Sequence, residues 1–319
     1  SLVASGGWCA PSEILYDLFE IEDVDGLLSV PEIIAARGGV RWTPGPDFSS
    51  IYSSTGFIQT EVEAIAGQEK PCYEVPCPDF EESRLDVIGL CIQAGILQNR
   101  AYPEVVARFL RGALKAHTHR YSWTSIRRIE QGSTAVSIPG GPGATASVLG
   151  AIELTATDYR YKHRMADNST LEIIVPRWLR GVIRSDMAKR NGVERESVSN
   201  AQITQWFADR QVNAQYVYNW QDALAEGIGM GDDLPAASWP QQVKILMYSA
   251  GTWVRATSDV ISLDAVYDSV LFKKNKYNAL FTEEGLSMLK RGHDSRVITI
   301  PVCPNGQTGA QVEHACPTS

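Results

Sequence analysis

The 319-residue chain lacks any uninterrupted apolar run of roughly 18 residues, the minimum for a helix that crosses a membrane. It also lacks a basic start followed by an apolar stretch, so SLVASGGWCAPSE does not read as a secretory signal. The chain opens on Ser1 rather than Met, which leaves open a trimmed start of no consequence and an end made by proteolysis. Motifs of common chemistry are missing as well. GGPGATAS, at residues 140–147, has no Lys to hold nucleotide phosphates. There is no G-x-S-x-G elbow, no H-E-x-x-H, and no G-x-G-x-x-G between a strand and a helix. Basic excess is missing too: net charge is −8, which excludes a general affinity for nucleic acid phosphates. These absences point away from an enzyme and from a nucleic-acid-binding protein.

Absence of positive charge is sharpest at the start. No Lys or Arg precedes Arg37, while Glu13, Asp17, Glu20, Glu22, Asp23, Asp25 and Glu32 are acidic. Farther along, Arg108, Arg111, Lys115, Arg120, Arg127 and Arg128 crowd together. Charge complementarity makes Glu20, Glu22 and Asp23 candidates to dock on Arg108, Arg111 and Lys115, within one subunit or between neighbours. The alternative is that Arg108, Arg111 and Lys115 contact nucleic acid instead.

Six cysteines are too few for a disulfide-built fold of this length. Cys72 and Cys77 are candidates for one disulfide, Cys303 and Cys316 for another. His314 stands beside Cys316, but the spacing fits none of the paired-cysteine zinc signatures, so no metal or cofactor is expected. His117 and His119 are two apart on a predicted helix and point to different faces. NAQITQWFADRQVNAQYVYNW imitates half of a helix-turn-helix but offers only Arg210 for phosphate contacts.

What is present is a mixed α+β pattern with an unusual first hundred residues. Ser12–Phe19 suits a short amphipathic helix. Gly38, Gly39, Pro44, Gly45, Pro46, Pro71, Pro76 and Pro78 then exclude a long helix, and Val40–Trp42 and Tyr73–Val75 suit exposed strands. So long a segment with so little core pattern signals an intermolecular role. A helix starts at Pro103, with Val105, Val106, Phe109, Leu110, Ala113 and Leu114 as one apolar stripe, continuing to Tyr121 for roughly 30 Å. Beyond it come an amphipathic stretch (147–165), a buried strand LEIIV, and a helix opened by Pro176 and closed by Gly192. A short helix near 200–210 and a strand near 212–220 follow. KILMYSAGTWVRA reads as strand, turn, strand; Phe281–Leu289 as a helix; and RVITIPV as a last strand.

This order of parts resembles the major capsid protein of tailed bacteriophages, those of actinobacterial hosts in particular. The resemblance is carried by SLVASGGWCAPSE, ARGGVRWTPGPDF, LEIIVPRWLRGVIRSDMAKRNG and YSAGTWVRATSDVISLDAVYDSV, and it covers essentially the whole chain. It implies the α+β tailed-phage major capsid fold, with an N-terminal arm at 1–26 and an extended loop with flanking strands at 27–99. A peripheral domain with a long spine helix would occupy 100–139, an axial domain 140–255, the peripheral return 256–302, and a C-terminal hairpin or tail 303–319. The implied function is self-assembly into hexamers and pentamers of an icosahedral virion shell, put together in the bacterial host cytoplasm around double-stranded DNA. Copies of the chain itself, a portal, a scaffold or maturation protease and a decoration protein are the implied partners. A cellular nanocompartment shell of the encapsulin type is the alternative. Some members cross-link through a Lys of the extended loop; Lys70 is the single Lys before Lys115, and no Asn is assignable as its partner.

Overall fold

The computed structural model describes residues 18–307, except 49–50, 53–55, 76, 78, 195–196, 233 and 260. The described chain divides into two compact units. One holds residues 18–24, 89–118 and 261–283; the other holds 25–88, 119–260 and 284–307.

The larger unit is built on a five-stranded sheet in the order Thr134–Ser137, Ser295–Pro301, Gln242–Ser249, Leu171–Pro176, Val212–Val217. The outer pairings are parallel and the two inner ones antiparallel. Both faces are covered, which is why LEIIV reads as an unbroken apolar run rather than an alternating one. Leu171, Ile173 and Val175 pack with Val148, Ile152 and Tyr159 of the Gly143–His163 helix and with Val182 and Ile183 of the Leu179–Asn191 helix. Ile174 points the other way, to Ile126, Ile129, Trp220 and Trp253. Each such side chain, fully removed from water, contributes about 1.5–3 kcal/mol. Pro176 closes its strand instead of opening a helix: it pairs with Val217, and the Arg177 amide donates to the Val217 carbonyl at 2.8 Å. The following helix does end at Gly192, in the left-handed conformation at φ 62°.

KILMYSAGTWVRA forms two strands, but they do not pair with each other. Gln242–Ser249 lies inside the five-stranded sheet, whereas Trp253–Thr257 pairs with Glu32–Ile34 and with Leu286–Lys290. Against the latter group packs a two-stranded pair, Gly39–Trp42 with Glu81–Arg84, through Val40, Trp42 and Leu85 on Val254, Ala256 and Leu289. Among the described residues between those two strands lies one short helix, Glu61–Ile65, opened by a Thr60–Glu63 capping box and burying no residue. Residues 71–75 are exposed and form no strand.

In the smaller unit, Ile261–Val266 runs antiparallel to the first part of the Lys276–Lys290 strand. Val106 and Leu110 cover Ala94, Ile96, Tyr277 and Ala279. The expected apolar stripe is therefore split, because Val105 and Phe109 remain exposed. The Phe281–Leu289 helix expected from sequence is not formed; those residues belong to the Lys276–Lys290 strand. Most of that strand is buried, so its apolar residues lost the two-residue alternation that marks a half-exposed strand.

The long helix spans Pro103–Gln131, 29 residues, or about 43 Å. It passes well beyond Tyr121 although Thr118, Ser122, Thr124 and Ser125 are poor helix formers. Hydroxyls of Thr118, Thr124 and Ser125 donate to the carbonyls of Leu114, Arg120 and Tyr121 at 3.0, 2.9 and 3.0 Å, which keeps these polar groups satisfied within the helix.

Candidate assembly interface

In the smaller unit the acidic stretch lies along the basic face of the long helix. Glu20 Oε1 is 2.6 Å from Lys115 Nζ, and its Oε2 is 3.5 Å from Arg111 Nε. Arg108 pairs with Glu22 and also donates from Nε to the Phe19 carbonyl at 3.1 Å, while Lys115 Nζ reaches the Glu22 carbonyl at 2.6 Å. Asp23 Oδ1 accepts from the Val24 amide at 2.7 Å. A hydrogen bond from Lys115 holds the Glu20 carboxyl below the usual glutamate range; Glu22 is lowered by its own backbone amide and then by Arg108. Ser12–Phe19, expected as a helix, falls largely on residues outside the described ones.

In the larger unit, residues that sequence reasoning passed over continue the attachment of this segment. Asp25 pairs with Arg177 at 2.5 Å, and Arg177 lies over the Tyr218 ring. The Leu28 amide donates to Ser122 Oγ at 2.9 Å, and the Ser29 amide to Gln215 Oε1 at 3.0 Å. Arg255, only 6% exposed, pairs with Glu32 at 2.6 Å and donates to the Leu28 carbonyl at 3.3 Å. The only advance signal for these groups was the run of acids before Arg37.

Residues 56–82 present the opposite situation. Among the described ones all but Gln59 and Glu63 are exposed, including Phe57, Ile58, Val62, Ile65, Tyr73, Val75 and Phe80. Ile58 is 95% exposed. Apolar side chains displayed so densely mark a surface that another molecule covers. Lys70 Nζ sits 5.5 Å from the Phe57 ring centroid. Cys72 and Cys77 are exposed free thiols, which corrects the expected bridge between them. Cys91 is also free and exposed. Cys303 is disulfide-bonded, and Cys316 lies outside the described residues, as does His314.

The sites where chemistry was sought carry structural contacts. The Gly143–His163 helix starts where a phosphate loop would end, but its N-terminus is held by Asp186. This carboxylate, fully buried, accepts from the Thr145 amide at 3.0 Å and the Gly306 amide at 2.8 Å. Asp294 is taken up by Arg296 at 2.9 Å, His163 at 3.3 Å and Lys162 at 3.6 Å; burial pushes its carboxyl up, but Arg296, the His163 hydrogen bond and Lys162 outweigh that and hold it low. The segment that imitates a helix-turn-helix is, as expected, a helix, Asn200–Ala208, followed by the strand Val212–Val217. Among the described residues no group of three or more His, Cys, Asp or Glu side chains is placed to hold a metal ion, and no helix is long and apolar enough to cross a membrane.

No protein-family model and no curated protein sequence matches the chain. Solved structures do. The capsid of Myoviridae phage XM1 superposes with a TM-score of 0.56 at 11% identity, covering 90% of this chain and 96% of that one. The capsid of the empty GTA particle gives 0.58 at 9% identity, over 94% and 98%. The capsid of Ralstonia phage GP4 gives 0.54 at 11%, over 95% and 98%. Identity this low speaks to architecture alone, and that architecture extends over nine-tenths of the chain: the protein has the fold of tailed-phage major capsid proteins.

Proposed function

We propose that this chain is a major capsid protein. Copies of it associate into hexamers and pentamers that close an icosahedral shell around double-stranded DNA in a virion. The observation that carries this reading is coverage: the fold matches capsid subunits over nine-tenths or more of the chain. Two features of the chain support it. Residues 56–82 expose seven large apolar side chains, which suits a segment laid over a neighbouring copy. The net charge of −8 suits a wall that encloses DNA without holding it tightly. In this reading individually modest contacts act together, because each copy engages several neighbours at once. A portal, a scaffold, a maturation protease and a decoration protein are the partners such an assembly route calls for. No observation favours a cellular nanocompartment over a viral shell.

Negative-stain microscopy of the purified chain tests the proposal. Shells, tubes or capsomer rings are the expected result. A lasting monomer across concentration, salt and crowding agents refutes it.

A further inference from the structure

Cys303 is disulfide-bonded, while Cys72, Cys77 and Cys91 are free thiols. The sequence holds six cysteines, so the partner of Cys303 is Cys9 or Cys316, both outside the described residues. Cys303 itself is half-buried, within reach of small thiols and disulfides.

The four residues that follow it lie on the junction of the Gly143–His163 and Leu179–Asn191 helices. The Pro304 carbonyl accepts from Lys189 Nζ at 2.6 Å, and the Gly306 amide donates to the buried Asp186 carboxylate at 2.8 Å. Gly306, at φ +77°, sits so close that a Cβ there would lie 2.6 Å from that of Lys189, and the Gln307 carbonyl rests against Gly143. The Asn305 amide donates to the Cys303 carbonyl at 2.9 Å and the Gln307 amide to Asn305 Oδ1 at 3.1 Å, so a tight turn leads from the sulfur into this seat. The seat is incomplete, however. Thr145 Oγ1 and Gln307 Nε2 are buried in it with no hydrogen-bond partner among the described residues. Buried polar groups are nearly always matched, so the seat calls for a further polar group, and the chain that continues from Gln307 starts within it.

We infer that Cys303 and Cys316 form a redox-operated clasp on this seat. In the thiol form, residues 304–307 are held by the Lys189 and Asp186 contacts alone. In the disulfide form the chain beyond them is tied back to Cys303 in a ring of roughly 14 residues, which leaves the released state far fewer conformations. Thiols persist in a reducing cytoplasm and disulfides form outside it. This rests on the shell-forming role proposed above: in a shell put together inside a cell and then released, the clasp is open during assembly and closes afterwards. The oxidant is a low-molecular-weight disulfide such as oxidised glutathione. One cysteine thiolate attacks it, forming a mixed disulfide and expelling one glutathione thiolate. The other cysteine thiolate attacks the protein sulfur of that mixed disulfide, closing the Cys303–Cys316 bond and expelling the second. The two cysteines give up two electrons and two protons, which leave on the two glutathione thiols.

The purified chain equilibrated in glutathione buffers, from fully reducing to fully oxidising, tests it. Peptide mapping should show Cys303 joining Cys316 along the series. Hydrogen exchange at the Thr145 and Gly306 amides, both bonded to Asp186, should slow by about a hundredfold as the bond forms. The Cys303→Ser chain under oxidising conditions should exchange like the reduced native chain; the reduced native chain keeps every side chain, so the comparison stands even where the variant fails to fold. Exchange that ignores the oxidation state, or Cys303 joined to Cys9, overturns the inference. A second arm acid-quenches and alkylates cells that express the chain. Cys303 and Cys316 should be captured there as thiols and recovered as a disulfide from released particles; a disulfide already present in the cell also overturns the inference. A chain that never assembles but shows the exchange difference refutes the shell reading and leaves the clasp standing.

Discussion

Asp186→Ala is the most informative single change, because one fully buried carboxylate fixes both the start of the Gly143–His163 helix and the last described stretch of chain. Alanine leaves the Thr145 and Gly306 amides without their acceptor. Loss of a helix N-terminal acceptor costs about 1 kcal/mol, and an amide stranded in a buried site about 1–3 kcal/mol. The total is about 3 kcal/mol, within the range of large single-site effects. For a chain of this size each kcal/mol moves the melting midpoint by roughly 2–4 °C, so a fall of about 6–12 °C is expected. Urea unfolding of the unassembled subunit, followed by tryptophan fluorescence, gives the free energy. Asp186→Asn keeps one acceptor oxygen and should lose about half as much. Gly143→Ala supplies an independent check: it forces a side chain at φ +74°, with its Cβ 2.9 Å from Asp186 Oδ1. Should Asp186→Ala unfold within about 0.5 kcal/mol of the native chain, the surface-substitution range, the assigned role is wrong.

Acid should release the segment around Glu20 and Glu22 before it unfolds the rest. Both carboxyls sit below the ordinary value of 4.5 when folded, so their contribution is complete at neutral pH and disappears as pH falls through those depressed values. Hydrogen exchange of residues 18–24 should rise below that point, and the Glu20→Gln/Glu22→Gln chain should show raised exchange already at neutral pH; unchanged exchange refutes the link. Arg255→Met should destabilise the larger unit by about 2 kcal/mol, since it breaks a mostly buried ion pair whose partner Glu32 is half exposed. Chemical denaturation measures it, and a neutral result excludes an anchoring role. Peptide mapping without reduction should recover Cys303 joined to Cys316, with Cys72 and Cys77 rapidly alkylated in the unassembled subunit; protected Cys72 and Cys77 would contradict their exposure.

Architecture was legible in the sequence where pattern and burial agree. LEIIV announced a strand buried on both faces, and Gly192 announced a helix end. Legibility failed where tertiary pairing decides. Lys276–Lys290 is buried along most of its length and so imitated a helix, and nothing local reveals that Gln242–Ser249 and Trp253–Thr257 join different partners. The helix from Pro103 looked short because its middle is rich in Ser and Thr, whose hydroxyls are satisfied only once the helix exists. Of the candidate contacts, Glu20, Glu22, Arg108, Arg111 and Lys115 could be named from charge segregation alone. Arg255 and Asp186 could not, since a lone charge in a sequence carries no sign of the backbone groups it will meet.

Strand order has a consequence for biosynthesis. Ser295–Pro301 is the last strand among the described residues, yet it lies second in the larger unit's sheet, between Thr134–Ser137 and Gln242–Ser249. Thr134–Ser137 has no other partner there among the described residues, so a nascent chain cannot complete this sheet until Ser295–Pro301 has left the ribosome. Such long-range closure is slow. It acts as a timer: until that strand has been made, the larger unit stays unfinished.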